Sequence, residues 1–265
     1  MCSIGDDLRP APYNSRVSAP RFLVPGIDPA HAEIALPADE SHHLARVLRL
    51  RAGDEIVVFD GRGRACRARV TAADPRRATA VIVEPLPDEA APPVPIVLVQ
   101  SVLKTDQMDD VVRDATMAGA ARVVPVIAVR SQVRGPVLQR AGAMERWLRI
   151  AIASAKQCGR ARLPVIEAPR PFADWLAEPF DGVRLLLAEP EAAAGPPRRW
   201  RDVLQTSRPA SIACIVGPEG GWTVEECRDA ERAGCVAISL GPATLRADAA
   251  GLVAVSVISV LLRET

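Results

Sequence analysis

Apolar positions begin to recur at Arg21-Phe22-Leu23-Val24. Residues 1–20 carry Pro, Ser and small side chains without periodicity, which predicts a disordered extension. Ser41–Arg49 has helical spacing, with Asp39 or Ser41 available to cap its free amides. Ala52-Gly53-Asp54 predicts a turn into a strand over Glu55–Phe59, and Asp60-Gly61-Arg62-Gly63 predicts a hairpin into the alternating run Ala65–Val70. Ala78–Glu84 reads as a further strand. Short strands punctuated by glycine turns, with little helix, predict a small β-barrel over residues 21–92. Residues 84–96, EPLPDEAAPPVPI, are too rich in proline for a sheet and read as a linker, with the domain boundary near residue 92.

Beyond that point the rhythm changes. Ile96–Ser101, Arg122–Ile127, Val183–Ala188, Ile212–Val216 and Val236–Leu240 are apolar runs of the kind found in buried parallel strands. Between them, helical patterns cover Asp106–Ala118, Ala141–Gln157, Val224–Ala233 and about Asp248–Leu262. Strands alternating with helices over residues 93–265 predict an α/β domain with a parallel sheet covered on both faces. The final helix, Ala250–Leu262, is apolar nearly all round, as expected either for a core helix or for one buried between subunits.

With 49% hydrophobic and 25% charged residues, the 265-residue chain has the balance of a soluble globular protein, which excludes collagen-like, coiled-coil and largely disordered classes. The longest apolar run, Gly251–Leu262, falls short of the ~20 residues that span a bilayer. Asp6 and Asp7 in an apolar-poor start speak against a targeting peptide. Six cysteines with no CxxC pair read as reduced, buried thiols of a cytoplasmic protein. The net charge of +1 hides two basic islands, residues 41–80 with nine arginines against four acids, and residues 130–170 with eight arginines and Lys156 against two. Either island could be a solvated face or a surface for a polyanion.

Candidate chemistry concentrates where strands end. Ile212–Val216 runs into Gly217-Pro218-Glu219-Gly220-Gly221-Trp222, and Thr223 with Glu226 forms a capping box that starts a helix at once. Ile238-Ser239-Leu240 runs into Gly241-Pro242 and then a helix with Asp248 in or before its first turn. Leu185–Ala188 ends at Glu189-Pro190. Ligands of parallel α/β sheets bind beyond the carboxyl ends of strands, so three such ends converging would form one pocket. No GxxxxGK[ST] phosphate loop is present, and Gly61-Arg62-Gly63 lacks the third glycine of a dinucleotide fingerprint. Glu219 would repel phosphate and suits a ligand with neutral or cationic groups. His31, His42 and His43 have no metal-ligand spacing, so no metal is expected.

IVGPEGGWTVEE followed by LGPATLRADAAG resembles the SPOUT superfamily of S-adenosylmethionine-dependent RNA methyltransferases. Together with RFLVPG, HHLARVLRLRAGDEIVVFDGRG, KTDQMDDVVRDATMAGAARVVPVI and AKQCGRARLP, it resembles the ribosomal RNA small subunit methyltransferase E family across about residues 21–262. The resemblance implies an N-terminal PUA-like β-barrel and a C-terminal SPOUT α/β domain whose end is threaded into a trefoil knot, a topology that chain-connection rules would have argued against. It further implies a cytoplasmic homodimer that methylates uridine N3 in 16S rRNA of the small ribosomal subunit. A SPOUT enzyme acting on another RNA, such as tRNA ribose, and a non-catalytic RNA-binding homologue are the competing readings.

Carried over residue by residue, the resemblance gives a cofactor site of Leu187, Ala188, Glu189, Gly217, Glu219, Gly220, Gly221, Leu240, Gly241, Leu245 and Arg246. A guanidinium beside the uracil oxygens would favour the N3 anion, with Arg246 the first candidate and Arg160 the second. An ion pair with Asp248 or Glu219 is the structural alternative for Arg246. Asp248 or solvent would take the proton, and Cys158 is read as structural. Arg46, Arg49, Arg51, Arg62 and Arg64 could clamp RNA phosphates, with Arg46 and Arg49 on one helix face and His42 and His43 beside them. Lys156, Asp114, Met117 and Ala243 depart from the commonest family pattern, and the charge reversal at 156 is expected to bear on RNA contacts.

Overall fold

A computed structural model of the chain describes residues 19–28, 33–133, 142–188, 198, 200–204, 209–241 and 243–262. The expected extension up to residue 18, His31 and the site candidate Glu189 lie outside the described residues. The N-terminal sheet contains β1 (Arg21–Leu23), β2 (Glu33–Ala35), β3 (Glu55–Phe59), β4 (Ala65–Ala72) and β5 (Thr79–Pro85), in the order β1-β3-β4-β5-β2. β1 runs parallel to β3, and the other ladders are antiparallel. The Arg62 and Arg64 amides donate to Asp60 Oδ1 at 2.7 and 3.0 Å, which closes the β3–β4 turn as the sequence requires. Register shifts between β4 and β5, at Arg67/Ala68 and Val70/Ala72, bend the sheet toward a half-barrel.

β3 does not alternate, because both of its faces are covered. Ile56 and Val58 enter the sheet's own core with Phe22 and Leu44, whereas Val57 and Phe59 pack on Ala155 and Ala161 of the second unit. The helix expected over 41–49 is α1 (Ala38–His42), continued by a π-helical turn over His43–Val47. Arg49 takes a left-handed φ of 55°, and the Leu50 amide closes back on the Leu44 carbonyl at 3.0 Å. Arg49 therefore lies past the helix end and does not share a helical face with Arg46, contrary to the three-residue spacing. His43 packs edge-on against Phe22.

The second sheet holds β6 (Ile96–Ser101), β7 (Arg122–Ile127), β8 (Val165–Ile166), β9 (Arg170–Pro171), β10 (Val183–Leu187), β11 (Ile212–Val216) and β12 (Val236–Ile238). Its order is β12-β10-β11-β6-β7-β8, with β9 also on β7, and these ladders are parallel. Its helices are α2 (Thr105–Ala118), α3 (Ala143–Cys158), α4 (Phe172–Ala177), α5 (Trp200–Leu204), α6 (Val224–Arg232) and α7 (Ala247–Leu261). Leu98, Leu185 and Cys214 point toward α2, α3 and α7, while Val97, Leu186 and Ile215 point toward α4 and α6, so each strand is buried on both sides. α7 packs Ala250, Gly251, Ala254, Val255 and Ile258 inward, leaving Leu252, Val253 and Val257 half-buried and Val260 54% exposed. Among the described residues no helix is long and apolar enough to cross a membrane.

A polar seam joins the two units beside the Val57–Phe59 contact. Lys156 Nζ donates to both oxygens of Glu40, at 2.6 and 2.7 Å, and lies over the Phe22 ring. Lys156, expected to bear on RNA contacts, is thus spent on an internal pair. Glu89 in the proline-rich segment accepts from the Ala161 and Arg162 amides at 2.6 and 3.0 Å and pairs with Arg160 at 2.7 Å. That segment is pinned at both units rather than spanning freely between them.

Candidate functional site

β10, β11 and β12 are neighbours, with Leu187 in register with Val216 on one side and Ile238 on the other. Their carboxyl ends open into a cavity of about 400 Å³, within the roughly 300–1,000 Å³ of small-molecule pockets. Leu187, Ala188, Gly217, Glu219, Gly221, Leu240, Gly241, Leu245 and Arg246, all among the residues carried over from the family resemblance, line it. Gly220 does not. A Cβ at 220 would meet Arg130 Cβ at 3.1 Å, so this glycine makes room for protein rather than ligand. Gly217 lines the cavity and also makes room for protein, since a Cβ there would stand 3.0 Å from Trp222 Nε1. Gly221 is needed for its φ of 68°, which lets its amide turn back to the Pro218 carbonyl at 2.9 Å.

The loops are fixed by local chemistry that the sequence carries. Thr223 Oγ1 accepts from the Glu226 amide at 3.1 Å, and Glu226 Oε2 accepts from the Thr223 amide at 2.9 Å, completing the expected capping box. Ser239 Oγ accepts from the Gly241 amide at 3.1 Å, closing the third loop. Trp222, 4% exposed and tilted against the Phe172 ring at 4.5 Å between centroids, donates Nε1–H to the Leu187 carbonyl at 3.0 Å, which ties the first loop to the second.

At the rim, Arg246 is the N-cap position of α7, and Asp248 sits in that helix's first turn. Arg246 Nε and Nη2 donate to the two Asp248 oxygens at 3.1 and 2.7 Å, so the ion pair weighed as the structural alternative is formed. Hydrogen bonding to Asp248 and its charge hold the Arg246 guanidinium above its usual pKa. Its side chain remains 74% exposed and open to a substrate. Gln107, in the first turn of α2, completes the rim. With its amide oriented to suit both neighbours, it donates to Glu219 at 2.8 Å and accepts from Arg246 at 3.2 Å.

Arg160 is not brought to this cavity within its own chain. It pairs with Glu89 and lies against Gly119 at the far end of α2 from Gln107, a separation of roughly 18 Å along the helix. Cys158 also lies outside the cavity and is exposed, unlike the buried Cys66, Cys214, Cys227 and Cys235. The five barrel arginines are exposed but fall into two groups. Arg46, Arg49 and Arg51 precede β3, and Arg62 and Arg64 follow it, about 16 Å away along the strand. Arg64 Nη1 is partly tethered to the Ile27 carbonyl at 3.1 Å.

The strand-end argument missed Gln107, Trp222 and Arg130. Trp222 directly follows the Gly-Pro-Glu-Gly-Gly segment and Gln107 lies just beyond β6, the neighbour of β11, so sheet order was the signal needed for the second. The apolar walls formed by Leu187, Leu240 and Leu245, the backbone edges and the Glu219 carboxylate fit a ligand with an aromatic heterocycle and a positive charge.

An RNA methyltransferase domain model matches residues 90–259, and an RNA methyltransferase PUA domain model matches residues 36–83. The chain is 32% identical to ribosomal RNA small subunit methyltransferase E of Synechocystis over 95% of its own length and 80% of that protein's. It is 33% identical to the enzyme of the same name in Aquifex aeolicus over 82% of this chain and 89% of that one. The crystal structure of the Neisseria gonorrhoeae enzyme bound to S-adenosylmethionine superposes with a TM-score of 0.81 at 31% identity, covering 92% of this chain and 98% of that one.

Proposed function

Because the chain belongs to the RNA methyltransferase family of ribosomal RNA small subunit methyltransferase E, we propose that it transfers the methyl of S-adenosylmethionine to N3 of a uridine in 16S rRNA. The observation that carries this reading is the meeting of three strand ends in one cavity with a held arginine at its rim. When bound, S-adenosylmethionine supplies an electrophilic methyl group. Leu187, Leu240 and Leu245 would enclose the adenine, Glu219 would face positive charge, and the loop backbone would read the heterocycle's edge.

The chain's own task is to favour the uridine anion and align it. Arg246, cationic as any arginine and oriented by Asp248, would face the two uracil oxygens that share the negative charge after N3 loses its proton. Both Asp248 oxygens are engaged by Arg246, and Oδ1 also accepts from the Ala249 amide at 3.0 Å. Asp248 is therefore assigned as the residue that positions Arg246, and the proton passes to solvent. Arg160 is left out of this assignment. Arg46, Arg49, Arg51, Arg62 and Arg64 would hold phosphates of the small-subunit RNA, which position a substrate without reading its sequence. The half-covered apolar face of α7 supports a homodimer, a ribosomal RNA substrate supports a cytoplasmic location, and the family supports a knotted C-terminal SPOUT domain beyond a boundary near residue 92.

Incubation with labelled S-adenosylmethionine and small-subunit rRNA, followed by mass mapping of the nucleosides, should yield one N3-methyluridine. Arg246→Ala should lower kcat by about a hundredfold while cofactor affinity changes by less than about threefold. Unchanged turnover in that variant removes Arg246 from the mechanism, and label at any other atom refutes the N3 assignment.

A further inference from the structure

The bend over Gly217–Gly221 is held from behind by a turn outside the cavity. Beyond β7, the Ser131 amide donates to the Ala128 carbonyl at 3.1 Å, and Ser131 Oγ accepts from the Ala128 amide at 3.0 Å. This closed turn presents Arg130. Its Nη1 donates to the carbonyl of Gly220 at 2.9 Å and of Trp222 at 3.3 Å, the residues on either side of Gly221. Gly220 seats the arginine's stem, since a Cβ there would press on Arg130 Cβ at 3.1 Å. One residue earlier, the Val129 amide donates to Glu226 Oε1 at 2.8 Å, while Glu226 Oε2 serves the capping box. The turn thus grips both the bend and the start of the helix that follows it.

We infer that Arg130 is a positioning residue for the cavity, fixing the Gly220 and Trp222 carbonyls so that the cavity wall has its binding shape before a ligand arrives. The inference rests on reading the cavity as the S-adenosylmethionine site. A bend containing three glycines has many accessible conformations, and ordering it during binding would subtract from affinity. The guanidinium does that ordering in advance. Nη1 alone serves both carbonyls, and the planar, stiff guanidinium loses less freedom in holding them than the ammonium of lysine on its flexible stem.

The test measures S-adenosylmethionine binding by calorimetry, steady-state methylation of rRNA, and melting without ligand for Arg130→Met and Arg130→Lys. Arg130→Met should raise the cofactor Kd about tenfold and Arg130→Lys about threefold, the scale of losing one or both charge-assisted hydrogen bonds at a solvent-accessible site. KM for rRNA should stay within about twofold, and the ligand-free Tm within about 2 °C, since the bend contributes little to either core. A cofactor Kd unchanged in both variants overturns the inference. So does a ligand-free Tm that falls in step with affinity, because Arg130 would then act on global stability alone. Failure of the unmodified protein to bind S-adenosylmethionine overturns the cofactor reading itself.

Discussion

Glu40 and Lys156 lie 116 residues apart and form the one ion pair between α1 and α3 among the described contacts, with side chains 11% and 20% exposed. Removing one partner of a fully buried pair costs about 3–5 kcal/mol, mostly by stranding the other charge. Partial solvent access at this seam lowers the expectation to roughly 2–3 kcal/mol for Glu40→Ala or Lys156→Met. Lys156→Glu should cost more, because it sets two carboxylates against each other beside Phe22. The double variant Glu40→Lys with Lys156→Glu should then recover at least ~1 kcal/mol relative to the sum of the single reversals. Equilibrium urea unfolding of the four proteins gives the coupling energy directly. Additivity within about 0.5 kcal/mol would falsify the claim that this pair holds the units together.

Trp222 and the cysteines carry three further predictions. Trp222→Phe keeps the ring but strands the Leu187 carbonyl, so stability should fall by about 1–2 kcal/mol and cofactor affinity by about fivefold, read by thermal melting and calorimetry. If both stay at their original values, Trp222 is not what joins the two loops. Burial pushes the Cys227 and Cys235 thiols up to about 11, and the Cys214 thiol higher still. Because an unfolded thiol ionises near ~8.5, the unfolded chain sheds these protons first. The stability present below that pH should therefore decline as pH rises toward 11. Alkylation of the native protein near neutral pH should modify Cys158 among the described cysteines, and Cys214 only after unfolding. Early labelling of Cys214 would contradict its burial.

Local signals in the sequence were sufficient for the longer elements and for the loops that follow β11 and β12, whereas the short β2, β8, β9, α4 and α5 were not read from them. Periodicity marked β7 and β11 at the bounds observed, and Thr223 with Glu226 announced the start of α6. Those signals work because a helix cap or a buried strand is decided by residues within a few positions of one another. The helix expected through Arg49 failed at a left-handed residue that nothing in its composition announces. The Lys156 charge, read as a surface property, proved internal because its partner comes from the other unit.

By itself, the sequence determined that glycine-containing bends end two buried strands, that Glu189-Pro190 follows a third, and that an arginine and an aspartate follow the Gly241 bend. Only the tertiary structure decided which of these meet. The order β12-β10-β11 makes the three strand ends neighbours, α2 brings Gln107 to the rim, and the turn after β7 brings Arg130 behind the Gly217–Gly221 bend. Arg160 was sent to the opposite end of α2 by the same packing. Short-range periodicity cannot choose among sheet orders, because each order buries the same apolar runs. That choice is made by contacts between residues tens to hundreds of positions apart.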